Sequence, residues 1–192
     1  MAAMRQAGVR DAVQRRSTVL LEVPKPAFPA ADGVAVETSE FVAGQLGVIA
    51  RRRYERGDLI YTVRGPISSV RTPYTFQCGP EDHIDPVEED GVFGFGHYTN
   101  HSCNPNAYVQ VVGRGAARFI EVRARRRIHR GQEVSLDYGA MEYEMAHGVE
   151  CLCGARECRG RLVGFKDLPR ELKPRYRLEG IVPAYLFELD RA

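Results

Sequence analysis

Three short runs concentrate the side chains of this chain that can do chemistry. Asn100-His101-Ser102-Cys103-Asn104-Pro105-Asn106 packs amides, an imidazole, a hydroxyl and a thiol between two glycine-rich, β-prone stretches. Glu133-Val134-Ser135-Leu136-Asp137-Tyr138-Gly139 adds two carboxylates and a phenol, and Cys151-Leu152-Cys153 followed by Cys158-Arg159-Gly160 adds three more thiols. Asn-Pro and Ser favour turns, and Asn tolerates left-handed backbone, so a tight polar turn explains Asn104 to Asn106. It does not explain three such runs in order. The chain has five cysteines, of which Cys78 stands apart. An odd count with close spacing, in a chain whose first residues lack a hydrophobic signal region, points to metal or free thiols rather than a disulfide framework.

The elements that must position these runs are short. At 192 residues with 44% apolar content, the chain is read as one domain with short extensions and a real core. No apolar run approaches the roughly 20 residues that cross a bilayer, so no membrane partner is expected. The expected location is the cytoplasm, or the nucleus in a eukaryote. A net charge of +2 is too small to argue for a polyanionic partner. The basic runs at 51–56 and 123–130 carry no aromatic platform of the kind single-stranded nucleic acid needs, so they read as solvated loops and argue against nucleic acid as a direct ligand. Oligomeric state is not legible.

In chain order, residues 1–32 are expected to be a poorly ordered lead-in. They contain Pro24, Pro26 and Pro29 and a candidate edge strand at 19–23. From Gly33 the pattern becomes short strands at 34–38, 47–50 and 58–63, each bounded by glycine or charge, the punctuation of a mainly β fold. A strand at 74–78, a hairpin of 107–112 with 117–122 around Gly113-Arg114-Gly115, and a strand at 132–136 follow. Residues 139–147 are helix-compatible, and 167–192 carry three prolines between short helical pieces.

Together the three runs resemble the SET-domain methyltransferase family, with its Asn-His-Ser-Cys motif, its acidic-Tyr motif and a Cys-x-Cys-x4-Cys post-SET tail. The resemblance covers most of residues 34–165. It implies a SET fold of small curved sheets with a threaded, pseudoknot-like segment near Asn100 and Tyr138. The implied division is a core at 33–147, a post-SET zinc-binding tail at 148–166 and a C-terminal helical extension at 167–192. It further implies S-adenosylmethionine as methyl donor, structural Zn2+, and an amine-bearing substrate, either a protein lysine or a small molecule.

Residue by residue, Cys103, Cys151, Cys153 and Cys158 supply four thiolates, enough for a closed tetrahedral zinc shell with no open catalytic position. The alternative is four unrelated thiols. By position in the family, Gln45, Leu46 and Gly47 hold the donor, as do Asn100 and His101, while a buried structural imidazole is the other reading of His101. Leu152, Leu162 and Phe165 are candidate covers for the adenine, with core packing the alternative. Tyr138 is the leading catalytic residue. A phenol can align an amine and a departing methyl without adding fixed charge, in a channel whose apolar walls lower an amine's pKa. Tyr98 is the expected aromatic channel wall, and both tyrosines also border the donor. The chain departs from the family at His97, where Arg is common, and at Leu136, where Phe is common. No cysteine precedes Cys78, so no cysteine-rich pre-SET module is expected, and the stretch from Gly65 to Asn100 is short for a substrate-reading insert. The expected function is protein-lysine N-methylation. The alternatives are methylation of a small molecule or another protein group, and a zinc-stabilised binding module without turnover.

Overall fold

The computed structural model describes residues 33–87, 92–145 and 149–191. The expected lead-in at 1–32, with its candidate edge strand, lies outside the described residues. Nine short strands are found among those described: β1 (Val34–Thr38), β2 (Leu46–Ala50), β3 (Leu59–Val63), β4 (Ile67–Ser68), β5 (Phe76–Gln77), β6 (His83–Ile84), β7 (Ala107–Val112), β8 (Phe119–Ala124) and β9 (Glu133–Val134). They form three antiparallel sheets with orders β1-β2-β9, β3-β8-β7 and β4-β6-β5. The expected mainly β architecture of small sheets is what the chain adopts.

Side-chain alternation explains the layering. In β8, Ile120, Val122 and Ala124 point into the core and the residues between them do not, the period of two that a half-buried strand requires. Their partners in register are Val63 and Tyr61 on β3 and Val111, Val109 and Ala107 on β7. β2 is different: Gly47 to Ala50 are all buried, with Val48 and Ala50 in the apolar core and Gly47 against the Glu133 side chain. One apolar cluster joins Val48 and Val134 to Ile120, Val122, Val63 and Leu136.

Several boundaries differ from the sequence expectation: the strands expected at 74–78 and 132–136 shrink to Phe76–Gln77 and Glu133–Val134, and two further differences have a visible cause. A 3-10 turn at Gly115–Ala117 extends the hairpin loop, so β8 begins at Phe119 rather than Ala117. Gly113 sits at φ +85°, where a Cβ would also meet the Ala117 carbonyl oxygen at 2.6 Å, so the turn needs glycine. Second, residues 139–147 hold only the 3-10 turn Tyr138–Ala140 among the described positions. The reason is visible downstream. The carbonyls of Glu142 and Tyr143, which a helix would use internally, accept the N–H groups of Phe165 (2.7 Å) and Lys166 (3.1 Å).

The expected short C-terminal helices are present as α1 (Leu172–Glu179) and α2 (Ala184–Leu189). With Ala140, Phe165 and Leu168 they build a second apolar cluster around Tyr176, Ile181 and Leu186. None of the helices among the described residues is long and apolar enough to cross a membrane.

The segment from Asn100 to Ala107 runs beside β9 and the residues after it, with a parallel bridge between His101 and Leu136. Leu136 N–H donates to Asn100 O (3.1 Å), Ser102 N–H donates to Leu136 O (2.8 Å) and Ala107 N–H donates to Ser135 O (3.1 Å). The Asn106 side chain closes the pairing. Its amide donates to Glu133 O (2.8 Å) and its Oδ1 accepts from Ser135 N–H (2.9 Å), all buried. Replacing Asn106 with alanine leaves a buried donor and a buried acceptor unpaired. Since each such loss costs about 1–3 kcal/mol, urea denaturation is expected to show Asn106→Ala destabilised by about 2–4 kcal/mol, whereas Asn104→Ala, on the exposed rim, changes little.

Candidate active site and thiol cluster

The paired segments place Leu46, Asn100, His101, Cys103 and Tyr138 in one neighbourhood. Asn100 Nδ2 donates to Leu46 O (2.9 Å) and to Glu133 Oε1 (2.7 Å), tying the start of β2 to the central run. Glu133 is itself buried and accepts from the Ser39 hydroxyl (3.1 and 2.9 Å) and from Glu40 N–H (2.9 Å). Gly47 lies directly over it. A Cβ there would fall 2.3 Å from Glu133 Oε1, so the bare glycine face admits the carboxylate, a closer reason for glycine than approach to a ligand. Gly44 serves the turn, with φ +80°, and Gln45 is exposed there. A cleft of about 450 Å³ opens beside these residues, walled by Glu40, Phe41, Ser102, Glu133 and Cys153 among others.

The two phenols of this region meet at Thr99. Tyr138 Oη donates to Thr99 O (2.9 Å), and the Tyr61 hydroxyl bonds the Thr99 hydroxyl. Burial pushes both phenols well above their ordinary range, and the negative charge of Glu133 adds to the effect at Tyr138. Both are therefore neutral near pH 7, and Tyr138 presents oxygen lone pairs as a fixed neutral acceptor. Tyr98 packs partly buried against the core, and its ring meets His97 edge-on at 5.0 Å. His97, the position where sequence suggested a departure, is stacked between Tyr74 and Phe93, each at 4.1 Å and 20°. Aromatic stacking takes the place of a cation there.

His101 is a buried imidazole with both nitrogens engaged. Nδ1 accepts from Tyr138 N–H (3.2 Å) and Nε2 lies 3.3 Å from Cys103 Sγ. Accepting at Nδ1 assigns the ring proton to Nε2, which then donates to sulfur. Burial, opposed by Asp137 and helped by Arg159, lowers the imidazole pKa to about 4, so the ring stays neutral.

His101, Cys103, Cys151 and Cys153 offer ligand atoms that all lie within 4.8 Å of one another. Cys158 packs on the same cluster. Backbone N–H groups point at three of the sulfurs: Cys103 N–H at Cys153 Sγ, Arg159 N–H at Cys103 Sγ and Gly160 N–H at Cys158 Sγ, each at 3.4 Å. Such donors stabilise thiolate. At Cys153 burial acts against ionisation, but the N–H groups of Cys103 and Ala155 and the neighbouring thiols outweigh it and bring the thiol down to about 7. At Cys103 burial prevails and raises the thiol to about 11. A buried, nitrogen-supported thiol set of this kind fits a zinc ion. The expected fourth thiol, Cys158, lies outside that close set, which holds His101 in its place; with its proton on Nε2, His101 is arranged to donate to the Cys103 sulfur.

The tail is latched by charge to the turn that carries Tyr138. Arg159 grips the Asp137 carboxylate with two hydrogen bonds (2.9 and 2.6 Å), and the same carboxylate accepts from the Tyr176 hydroxyl on α1 (2.8 Å) and from Gly139 N–H (3.0 Å). The Asp137 side chain is fully buried. Leu162 sits partly buried on the thiol cluster, and Leu152 is 58% exposed. Phe165 is fully buried, edge-on to Phe187 at 4.9 Å, so it is core rather than a cover for a ligand. Glu133, Thr99 and Tyr61 carry no role in the sequence reading. The signal for Glu133 was its place in the second run, while Tyr61 looked like any strand residue.

Residues 45–139 match the family model for the SET domain. Histone-lysine N-methyltransferase trr of Drosophila melanogaster is 31% identical over 125 residues, covering 59% of this chain and 5% of that protein. An H3 lysine-36 specific histone-lysine N-methyltransferase of Yarrowia lipolytica is 32% identical over 130 residues, covering 67% of this chain and 16% of its own length. The chain thus spans a small fraction of these relatives. Among solved structures, KRYPTONITE in complex with mCHH DNA, an H3(1-15) peptide and SAH superimposes with a TM-score of 0.55 at 25% identity, over 67% of this chain and 29% of that one. A second KRYPTONITE complex, with mCHG DNA and SAH, gives 0.53 at 27% identity, over 64% and 28%.

Removing one partner of a buried ion pair costs about 3–5 kcal/mol, because the other charge is left uncompensated. Arg159→Ala is expected to lose that amount in chemical denaturation, and Tyr176→Phe, which removes one neutral donor to the same carboxylate, about 1–2 kcal/mol.

Proposed function

Because the chain belongs to the SET-domain family through residues 45–139, we propose that it transfers a methyl group from S-adenosylmethionine to a protein lysine. The observation that carries the reading is the convergence on Thr99 and Leu136: Tyr138 pinned as a neutral phenol, Asn100 fixed by two acceptors, and the thiol cluster alongside. A bound sulfonium donor supplies an electrophilic methyl. Its carbon–sulfur bond breaks as a carbon–nitrogen bond forms, sulfur keeps the electron pair, and the amine loses a proton.

The chain's residues orient and shield this displacement. Tyr138 does not act as the base, since burial and the Glu133 charge hold its proton; its oxygen aligns the amine and the methyl through lone pairs. The aromatic wall at Tyr98, backed by the His97 stack, narrows the approach for an alkylamine. Asn100, the Leu46 end of β2 and the His101 backbone are the donor-binding groups in this reading, with Gln45, Gly47 and the tail residues Leu152 and Leu162 closing over the donor. Zinc held by Cys103, Cys151, Cys153 and Cys158 would fix that tail in place. The relatives' names make histone H3 the first acceptor to try.

Methyl-labelled S-adenosylmethionine incubated with histone H3 and zinc-loaded protein is expected to label lysine. Tyr138→Phe is expected to cut the turnover by about 10²–10³-fold, as for other single groups aimed at a transition state, with donor binding retained. Metal analysis of the same preparation is expected to give one zinc per chain. Labelling of no protein or peptide by folded, donor-binding enzyme would replace this reading with that of a binding module.

A further inference from the structure

Glu133 is a buried carboxyl group with no ion-pair partner among the described residues. It is 1% exposed, its partners are the Ser39 hydroxyl, Glu40 N–H and the Asn100 amide, and no cationic side chain of the described residues forms an ion pair with it. Ser39 Oγ accepts from Phe41 and Val42 N–H (3.1 Å each), so its own proton is given to the carboxylate. Arg126, which lines the same cleft, spends its guanidinium on Asn104 Oδ1 and on the carbonyls of Asn104 and Pro105. Three donor groups satisfy its oxygens, but no opposite charge among the described residues offsets the cost of burying a carboxylate.

The same carboxylate orients Asn100. Both acceptors of the Asn100 amide, Glu133 Oε1 and Leu46 O, engage Nδ2. Oδ1 has no partner among the described residues, so an unpaired acceptor is held beside the buried carboxylate. That pairing suits a ligand with positive charge. Taking the donor reading above as its premise, we propose that Glu133 makes this pocket prefer the cationic sulfonium donor over the neutral thioether left after transfer. It does so by its charge and by holding the Asn100 amide with its carbonyl oxygen unpaired. Glu133 is in these terms a positioning residue that also favours exchange of product for fresh donor.

The test is calorimetry on the zinc-loaded full chain with S-adenosylmethionine and S-adenosylhomocysteine, for wild type, Glu133→Gln and Ser39→Ala. Glu133→Gln keeps the shape and removes the charge. It is expected to weaken the sulfonium ligand about tenfold, the order of a partly screened charge pair, and the thioether by no more than about twofold. Ser39→Ala loosens the loop but keeps the charge, and is expected to move both ligands alike. Equal losses for both ligands in Glu133→Gln, or none, would overturn the proposal in favour of a structural role. Should Glu133→Gln fail to fold, the wild type is compared on the thioether and on the analogue bearing a protonated amine at the sulfur position; tighter binding of the analogue supports the proposal, and equal or weaker binding overturns it. Binding of neither adenosyl ligand by folded wild type would instead remove the donor reading, and this inference with it.

Discussion

The structure turns on the parallel pairing of Asn100 to Ser102 with Leu136. Two backbone hydrogen bonds, from Leu136 N–H to Asn100 O and from Ser102 N–H to Leu136 O, lay two distant stretches of chain side by side. Every chemical feature is then a neighbour effect. Asn100 falls on Glu133, His101 on the Tyr138 amide, Cys103 on the tail cysteines, and Thr99 under the Tyr138 hydroxyl. Each of these contacts is modest alone, of order 1 kcal/mol net for a hydrogen bond. Buried together they admit one register, because a slip would strand donors and acceptors away from water.

A second constraint converges on Asp137, one residue before the phenol. Its carboxylate joins the tail through Arg159, α1 through Tyr176 and its own turn through Gly139. Arg125 reinforces the same corner. It pairs with Glu179 at 2.7 Å and lies over the Tyr176 ring at 5.3 Å. The thiol cluster, the turn at Tyr138–Ala140 and α1 are thereby tied together. The tail is coupled to the placement of Tyr138 through the Arg159–Asp137 pair and through the hydrogen bond from His101 to Cys103.

Much of this was legible in the residue order. The strands expected at 34–38, 47–50 and 58–63 from β-branched runs between glycines and charges are found at Val34–Thr38, Leu46–Ala50 and Leu59–Val63, and the three motif runs are the segments that the fold lays side by side. What escaped the sequence lies in contacts across long separations. Glu133 looked like one more polar residue of a motif, because its partners Ser39 and Asn100 are far away in the chain. Tyr61 and Thr99 gave no local signal at all. Phe165 was offered as a ligand cover since an apolar residue near a motif suits a pocket or a core equally; the second apolar cluster around α1 and α2 decides for core. His97 was recognised as a departure, but its stacking on Tyr74 and Phe93 depends on two loops whose meeting no local pattern announces. The 139–147 stretch had helical composition, yet its carbonyls are claimed by residues 165 and 166, a case of tertiary pairing overriding propensity.

The central claim is that metal and donor pocket share one scaffold. It is tested most directly by measuring S-adenosylhomocysteine binding while zinc is withdrawn stepwise by a chelator and folding is followed by circular dichroism. Binding capacity falling in proportion to zinc lost, with the β core still folded, is the predicted result. Undiminished binding by zinc-free, folded protein would contradict the account and leave the thiol cluster unconnected to the site beside it.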